Sequence, residues 1–146
     1  MELTVHDLEN DEKKLDEVMA IVSDDLSEPY SIFTYRYFVR NWPQLCLRAA
    51  NPETVAAVLC KADGPSGYIA MLVVRSGFRR FGIGTQLISA SIDRMRTLGC
   101  AEVFLEAEVT NKMALSLYDK LGFLRDVCFF NYYLNGADAY KLSLRF

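Results

Sequence analysis

The chain has 146 residues, the usual length of one compact domain, which argues against separate cofactor and substrate lobes. Hydrophobic residues make up 51%, aromatic residues 12% and charged residues 24%, enough for a packed core and too apolar for a disordered or solvating segment. Sixteen Lys and Arg against 19 Asp and Glu leave a net charge of -3, which disfavours a nucleic-acid backbone as partner while allowing a local basic cluster to hold one phosphorylated ligand.

From Asn10 onward, Leu15, Val18, Met19 and Val22 recur at helical spacing, which predicts an amphipathic helix over about 11–24. Ser31 is placed to cap a second, aromatic-rich helix over about 32–41, which must end before Trp42-Pro43 because proline steers its predecessor away from helical dihedrals. Residues 44–50 and 54–61 read as a hairpin joined at Asn51-Pro52. Tyr68-Ile-Ala-Met-Leu-Val-Val74 is an unbroken apolar run too short for a typical helix, as expected of a central strand buried on both faces.

A basic glycine turn leads into a helix over about 84–98, with Leu87, Ile88, Ile92 and Met95 inward and Gly99 as its stop. Residues 101–109 alternate, with Val103, Leu105, Ala107 and Val109 on one face and Glu102, Phe104, Glu106 and Glu108 on the other. Asn111 is a cap for a short helix carrying Ala114, Leu117, Tyr118 and Leu121, closed by Gly122. Two terminal strands, about 124–133 and 137–145, are joined at Asn135-Gly136. The order is mixed α/β.

Cys46, Cys60, Cys100 and Cys128 are scattered in apolar stretches with no Cys-x-x-Cys pair, which speaks against a zinc site, any other metal centre or a disulfide framework. No segment reaches about 18 apolar residues, and the N-terminus lacks a signal-peptide pattern, so a soluble, cytoplasmic protein without membrane contact is expected. The lone His6 lies outside every motif and reads as a surface residue.

Chemistry concentrates between Tyr68 and Thr85. Glycines there allow a tight turn and close approach, the helix start exposes N–H groups, and Arg79 and Arg80 add charge, a combination suited to a pyrophosphate. A Rossmann fingerprint would need a third glycine where Leu87 stands, and a P-loop would need Gly-Lys-Ser/Thr. Alone, Arg79-x-x-Gly82-x-Gly84 is explained equally well by a solvated surface turn.

Together with Asn111-x-x-Ala114-x-x-Leu117-Tyr118-x-x-Leu121-Gly122-Phe123, this turn resembles the GNAT acetyltransferases. Asp25-Leu-Ser-Glu-Pro-Tyr-Ser31, Tyr35-Arg-Tyr-Phe38, Asn41-Trp-Pro43, Cys60-Lys61, Gly67-Tyr-Ile-Ala-Met-Leu72 and Tyr132-Tyr-Leu-Asn135 narrow the likeness to catalytic subunits of the C-type N-terminal acetyltransferases. The resemblance implies a single domain over 1–146 with the α/β (α+β) GNAT fold: a mixed, mostly antiparallel sheet of about seven strands flanked by about four helices. It implies acetyl-CoA as co-substrate, held by Leu72, Val73, Val74, Arg79, Arg80, Phe81, Gly82, Ile83, Gly84, Thr85, Asn111 and Tyr118. The acceptor would be a protein N-terminus that keeps Met before a bulky hydrophobic residue. Auxiliary subunits, and the ribosome through them, are the implied partners.

An α-amine of reference pKa about 7.7–8 needs only a mild base, a site for the oxyanion and an acid for the departing thiolate. Glu106 is the candidate base: a carboxylate beside Phe104 in a partly desolvated cleft suits that work, and the resemblance implies a base or water-positioning residue at this strand position, whereas the residues taken alone favour a solvated face of Glu102, Glu106 and Glu108. Tyr68 matches a tyrosine that handles the amine, and Tyr118 matches the residue that protonates the sulfur; either ring also fits a core position. Leu26, Glu28, Pro29 and Tyr30 with Tyr132 and Tyr133 would form an apolar peptide mouth. On a straight strand only one of the adjacent tyrosines could face the peptide, unless a bend intervenes. Other chemistries compatible with these residues are a ribosomal-protein or small-amine acetyltransferase, or a non-catalytic acyl-CoA-binding subunit.

Overall fold

The computed structural model describes residues 3–9, 11–25, 30–79 and 81–146. Its strands are β1 (Thr4–Asp7), β2 (Cys46–Ala50), β3 (Thr54–Asp63), β4 (Ser66–Val74), β5 (Glu102–Glu108), β6 (Leu124–Phe129) and β7 (Ala139–Arg145). The helices are α1 (Glu12–Asp25), α2 (Ile32–Asn41), α3 (Ile83–Thr97) and α4 (Lys112–Lys120). The strands form one sheet in the order β1-β2-β3-β4-β5-β7-β6, antiparallel throughout except for the parallel pair β4–β5.

Each helix buries one stripe on that sheet. Leu15, Val18 and Val22 of α1 and Tyr35 and Val39 of α2 pack with Leu59, Met71 and Val73 on one face. Leu87, Ile88, Ile92 and Met95 of α3 and Leu115 of α4 pack with Ile69, Val103 and Leu105 on the other. Asp11 caps α1 by accepting from the N–H groups of Lys13 and Lys14 at 3.0 and 3.2 Å. Asn111 caps α4 by accepting from the Ala114 N–H at 3.2 Å, and Gly99 and Gly122, at φ 96° and 95°, turn the chain away after α3 and α4. Ser31 precedes α2 as expected, but its side chain makes no capping hydrogen bond.

Strand β4 departs most from expectation. Its register against β3 runs Leu59↔Met71 and then Cys60↔Ile69, leaving Ala70 as an extra bulged residue. The bulge exchanges the strand's faces: Ile69 points into the α3–α4 core, whereas Met71 and Val73 point into the α1–α2 core. Pairing with β5 extends only from Ser66↔Glu102 to Tyr68↔Phe104. Beyond that point the strands part, so Tyr68, Ala70, Leu72 and Val74 are only partly buried, and the strand is not covered on both faces. The gap is a cleft through the sheet.

Three further differences have local causes. Pro43–Leu45 forms a 3-10 turn, so β2 starts at Cys46 instead of residue 44. The sequence gives no signal for β1, whose four polar-rich residues are held by pairing with β2 and by an Arg94 to Asp7 contact of 2.7 Å. Strand β6 stops at Phe129, because Asn131 adopts φ 51° and its N–H turns to the Asp138 carboxylate at 2.9 Å. Tyr132 and Tyr133 are therefore on a loop and not on a strand.

Candidate active site

Two cavities meet in the gap between β4 and β5. The larger, about 500 Å³, lies between the C-terminal half of β4 and the N-terminal ends of α3 and α4. Leu72, Val74, Phe78, Ile83, Met113 and Leu117 give it apolar walls, while Arg79, Gly82, Gly84, Thr85 and Asn111 bring the polar groups. Gly82, at φ 73°, stands just ahead of α3 in the left-handed region that glycine adopts without steric cost. A Cβ on Gly84 would lie 3.5 Å from Leu72 and 3.6 Å from Leu117, so the absent side chain lets the helix start sit close against β4 and α4. Arg79 donates from Nε to the Val74 carbonyl at 3.2 Å, which fixes its guanidinium beside the helix N-terminus. Exposed helix N–H groups, the dipole and this cation make an anion cradle, and the long apolar trough beside it fits a pantetheine arm. The residues present thus fit acetyl-CoA.

The smaller cavity, about 270 Å³, is lined by Tyr30, Ala70, Met71, Glu106, Glu108 and Tyr133 among others. Leu72, Asn111, Ala114 and Tyr118 border both cavities. Tyr118 thus stands at the junction. Its ring is buried and packs edge-on against Phe123 at 5.4 Å between centroids. Burial, with a smaller contribution from the Cys60 thiol, pushes its phenol well above the ordinary range, so it keeps its proton at neutral pH.

Glu106 is the focus of the smaller cavity. It accepts from the Tyr132 phenol at 3.2 Å and from the Tyr68 phenol. Burial pushes the Tyr68 phenol strongly upward, and Glu106 adds to this both as hydrogen-bond acceptor and as charge. Tyr133 is raised in the same way, by burial first and then by Glu106 and Glu108. Both tyrosines of the pair therefore approach the carboxylates, because the loop bend removes the strand's alternation. Asn135 helps hold this loop over β5, with Nδ2 3.5 Å from Glu108.

The Acetyltransferase (GNAT) family profile matches residues 15–123. The chain belongs to the GNAT acetyltransferase family. It is 52% identical over 139 residues to N-alpha-acetyltransferase 30 of Homo sapiens, covering 91% of this chain and 38% of that protein. To the N-alpha-acetyltransferase 30 of Saccharomyces cerevisiae it is 40% identical over 149 residues, covering 94% of this chain and 84% of the relative. A chain in the crystal structure of the NatC complex bound to Gag peptide and CoA superimposes with a TM-score of 0.96 at 39% identity, covering 100% of this chain and 99% of that one. The GNAT chain here spans less than two thirds of its human relative's length.

Among residues the sequence singles out, the GNAT fold brings Leu72, Val73, Val74, Arg79, Gly82, Ile83, Gly84, Thr85, Asn111 and Tyr118 to the larger cavity. Val73 borders it although its side chain belongs to the α1–α2 core. Phe81 does not line it, and its ring is 63% exposed. Tyr30, Glu106 and Tyr133 line the smaller cavity, with Tyr68 and Tyr132 held on Glu106. Leu26, Glu28, Pro29 and Arg80 lie outside the described residues. Phe78 and Met113 also line the larger cavity and carry no sequence signal for it, since neither belongs to the glycine turn or the Ala114/Leu117/Tyr118 stripe. Among the described residues no group of His, Cys, Asp and Glu could hold a metal ion, and no helix is long and apolar enough to cross a membrane.

Proposed function

We propose that this chain transfers the acetyl group of acetyl-CoA to the α-amine of protein N-termini, with Met followed by a bulky hydrophobic residue as the acceptor. The observation that carries the proposal is the junction of two chemically distinct cavities at Tyr118: an anion-cradling apolar trough on one side and a tyrosine-lined, carboxylate-bearing mouth on the other. Acetyl-CoA, bound in the trough, supplies an activated acyl carbon. Glu106 takes a proton from the entering ammonium, and the neutral nitrogen forms its bond to the acyl carbon while the carbon–sulfur bond breaks. Tyr118 gives its phenolic proton to the departing sulfur. Alternate N–H groups of β4 beyond Tyr68 face the gap left by β5 and are donors for the acyl oxygen.

Tyr68 and Tyr132 hold the Glu106 carboxylate in the mouth, and Tyr30 and Tyr133 wall the path of the peptide. These described residues are the recognition surface for the first two side chains. Support for the acceptor class comes from the named activity of relatives at 40–52% identity and from the peptide bound beside CoA in the NatC complex. The structural likeness to a chain of the NatC complex supports auxiliary subunits as partners, and the proposal extends to a cytoplasmic setting with access to the ribosome through those subunits. A panel of Met-Xaa peptides tests the acceptor. Turnover should be highest with Leu, Ile or Phe second, and equal turnover with Asp or Ser second would instead favour a ribosomal-protein or small-amine enzyme. No turnover with any acceptor, beside tight acetyl-CoA binding, would mark a non-catalytic acyl-CoA-binding subunit.

A further inference from the structure

We propose that Lys61 and Lys141 are positioning residues for this reaction: their ammonium groups clamp the Tyr68–Phe104 ring pair from its two outer sides and so hold the Tyr68 phenol on Glu106. The inference rests on the proposed role of Glu106. Lys61 of β3, Tyr68 of β4 and Phe104 of β5 occupy one register row across three adjacent strands. Lys141 of β7 continues the row diagonally, as the direct partner of Glu106. The rings of Tyr68 and Phe104 are 4.8 Å apart and tilted by 34°. Lys61 Nζ lies 5.7 Å from the Tyr68 ring centre, and Lys141 Nζ lies 4.9 Å from that of Phe104. The sheet order puts Lys61 and Phe104 on opposite sides of Tyr68, and Tyr68 and Lys141 on opposite sides of Phe104. The sequence in space is cation, ring, ring, cation.

The row's position gives the clamp its significance. Tyr68↔Phe104 is the last rung of the β4–β5 ladder, so ahead of it no main-chain pairing between these strands supports the side chains that face the cleft. Tyr68 is half-buried there, and a ring swing about its χ angles would carry the phenol off Glu106. A surface lysine ordinarily extends its ammonium into water. Here each ammonium is turned over a π face, where the quadrupole attracts it and where it blocks that swing. Lys61 is held a second time, 5.9 Å from the Tyr37 ring of α2. The coenzyme cavity uses Leu72 and Val74, beyond the bulge and on the other face of β4, so acetyl-CoA binding is separate from the clamp.

The test is steady-state kinetics of the full chain with acetyl-CoA and a Met-Leu peptide, comparing Lys61→Met, Lys61→Arg and Lys141→Met, each made in the native and in the Tyr68→Phe background. Either Met variant should lower kcat about three- to tenfold with the acetyl-CoA KM unchanged, and Lys61→Arg should restore it, since guanidinium also binds a ring face. In the Tyr68→Phe background, with no phenol left to position, Lys61→Met should change kcat by less than about twofold. An equal loss in both backgrounds, a loss that Arg does not restore, or a native-like kcat for both Met variants would overturn the proposal while leaving the acetyltransferase reading standing. A native chain that acetylates no α-amine would overturn both. Melting temperatures within about 2 °C of native would show that a kcat loss is not unfolding.

Discussion

Replacing Tyr118 by Phe removes one oxygen from the junction of the two cavities and tests the proposed acid. The ring's packing on Phe123 at 5.4 Å survives the change, and the site is almost fully buried, so no new cavity larger than a hydroxyl is made. The stability cost is therefore that of one hydroxyl's interactions, about 1 kcal/mol, or roughly 2–4 °C in melting temperature for a chain of this size. The kinetic cost is larger. A positioned proton donor is worth about 10²-fold or more, which corresponds to about 2.7 kcal/mol of barrier. Because burial holds the Tyr118 phenol above its ordinary range, the native chain keeps that phenolic proton through pH 7–9, and the proposed reaction should show no loss of rate there from phenol ionisation. Coupled thiol release at saturating acetyl-CoA and peptide gives kcat, and calorimetry gives acetyl-CoA affinity. The expected outcome is a kcat lowered about 10²-fold with affinity changed by less than about threefold. A variant with native kcat would refute the assignment of Tyr118 as the acid.

Other regions of the molecule make independent predictions. Gly67→Ala puts a Cβ 2.3 Å from Met95 Sδ, a fully buried atom, and should cost about 1–3 kcal/mol by overpacking, visible as a lower urea midpoint with acetyl-CoA affinity preserved at the remaining folded fraction. Glu17 of α1 accepts from Thr54 N and Oγ1 at 3.1 and 2.8 Å. Burial pushes the Glu17 carboxyl up, but the Thr54 hydrogen bonds and the Arg48 and Lys13 charges outweigh it and hold it below its ordinary value of 4.5. A lowered folded-state value means stability fully present above pH 4.5 and lost as pH falls through that lowered value. Glu17→Gln should therefore cost about 1 kcal/mol in denaturant titrations at pH 7, and the gap to native should shrink as pH falls below 4.5. Asn111→Ala removes the α4 cap and should lower the melting temperature by the equivalent of about 1 kcal/mol while weakening acetyl-CoA binding, since Asn111 borders both cavities.

Where the sequence carries a periodic signal the fold follows it. The inward stripe of α3 and the alternation of β5 are written in single side chains, and Asn111, Gly99 and Gly122 mark helix ends by capacities few other residues share. The β4 bulge leaves no such mark, because Ala70 is extra only in relation to β3, a property of two strands together. The cleft has the same origin: an apolar run looks alike whether its neighbour pairs with it for three residues or for seven. Strand β1 depends on Arg94 and β2 for its place, both remote in sequence. Tyr132-Tyr133 shows the limit in the site itself. Alternation puts the two rings on opposite faces, and a positive φ at Asn131 with a side-chain acceptor on Asp138 brings them both toward Glu106. Strand parity puts Glu106 on one face together with Glu102 and Glu108, and only the resemblance to the GNAT acetyltransferases singles it out among them; the phenols that hold it are legible as residues, not as a cluster.

The reaction proposed for this chain is acetyl transfer to a peptide α-amine at the junction of the two cavities. Incubation of the full chain with acetyl-CoA and a Met-Leu peptide carrying an internal lysine, read by tandem mass spectrometry alongside thiol release, tests it most directly. One acetyl group should appear on the α-amine for each thiol released, with none on the lysine and a rate at least about 10²-fold lower for Glu106→Gln. Acetylation of the lysine alone, or a Glu106→Gln chain as fast as native, would contradict it.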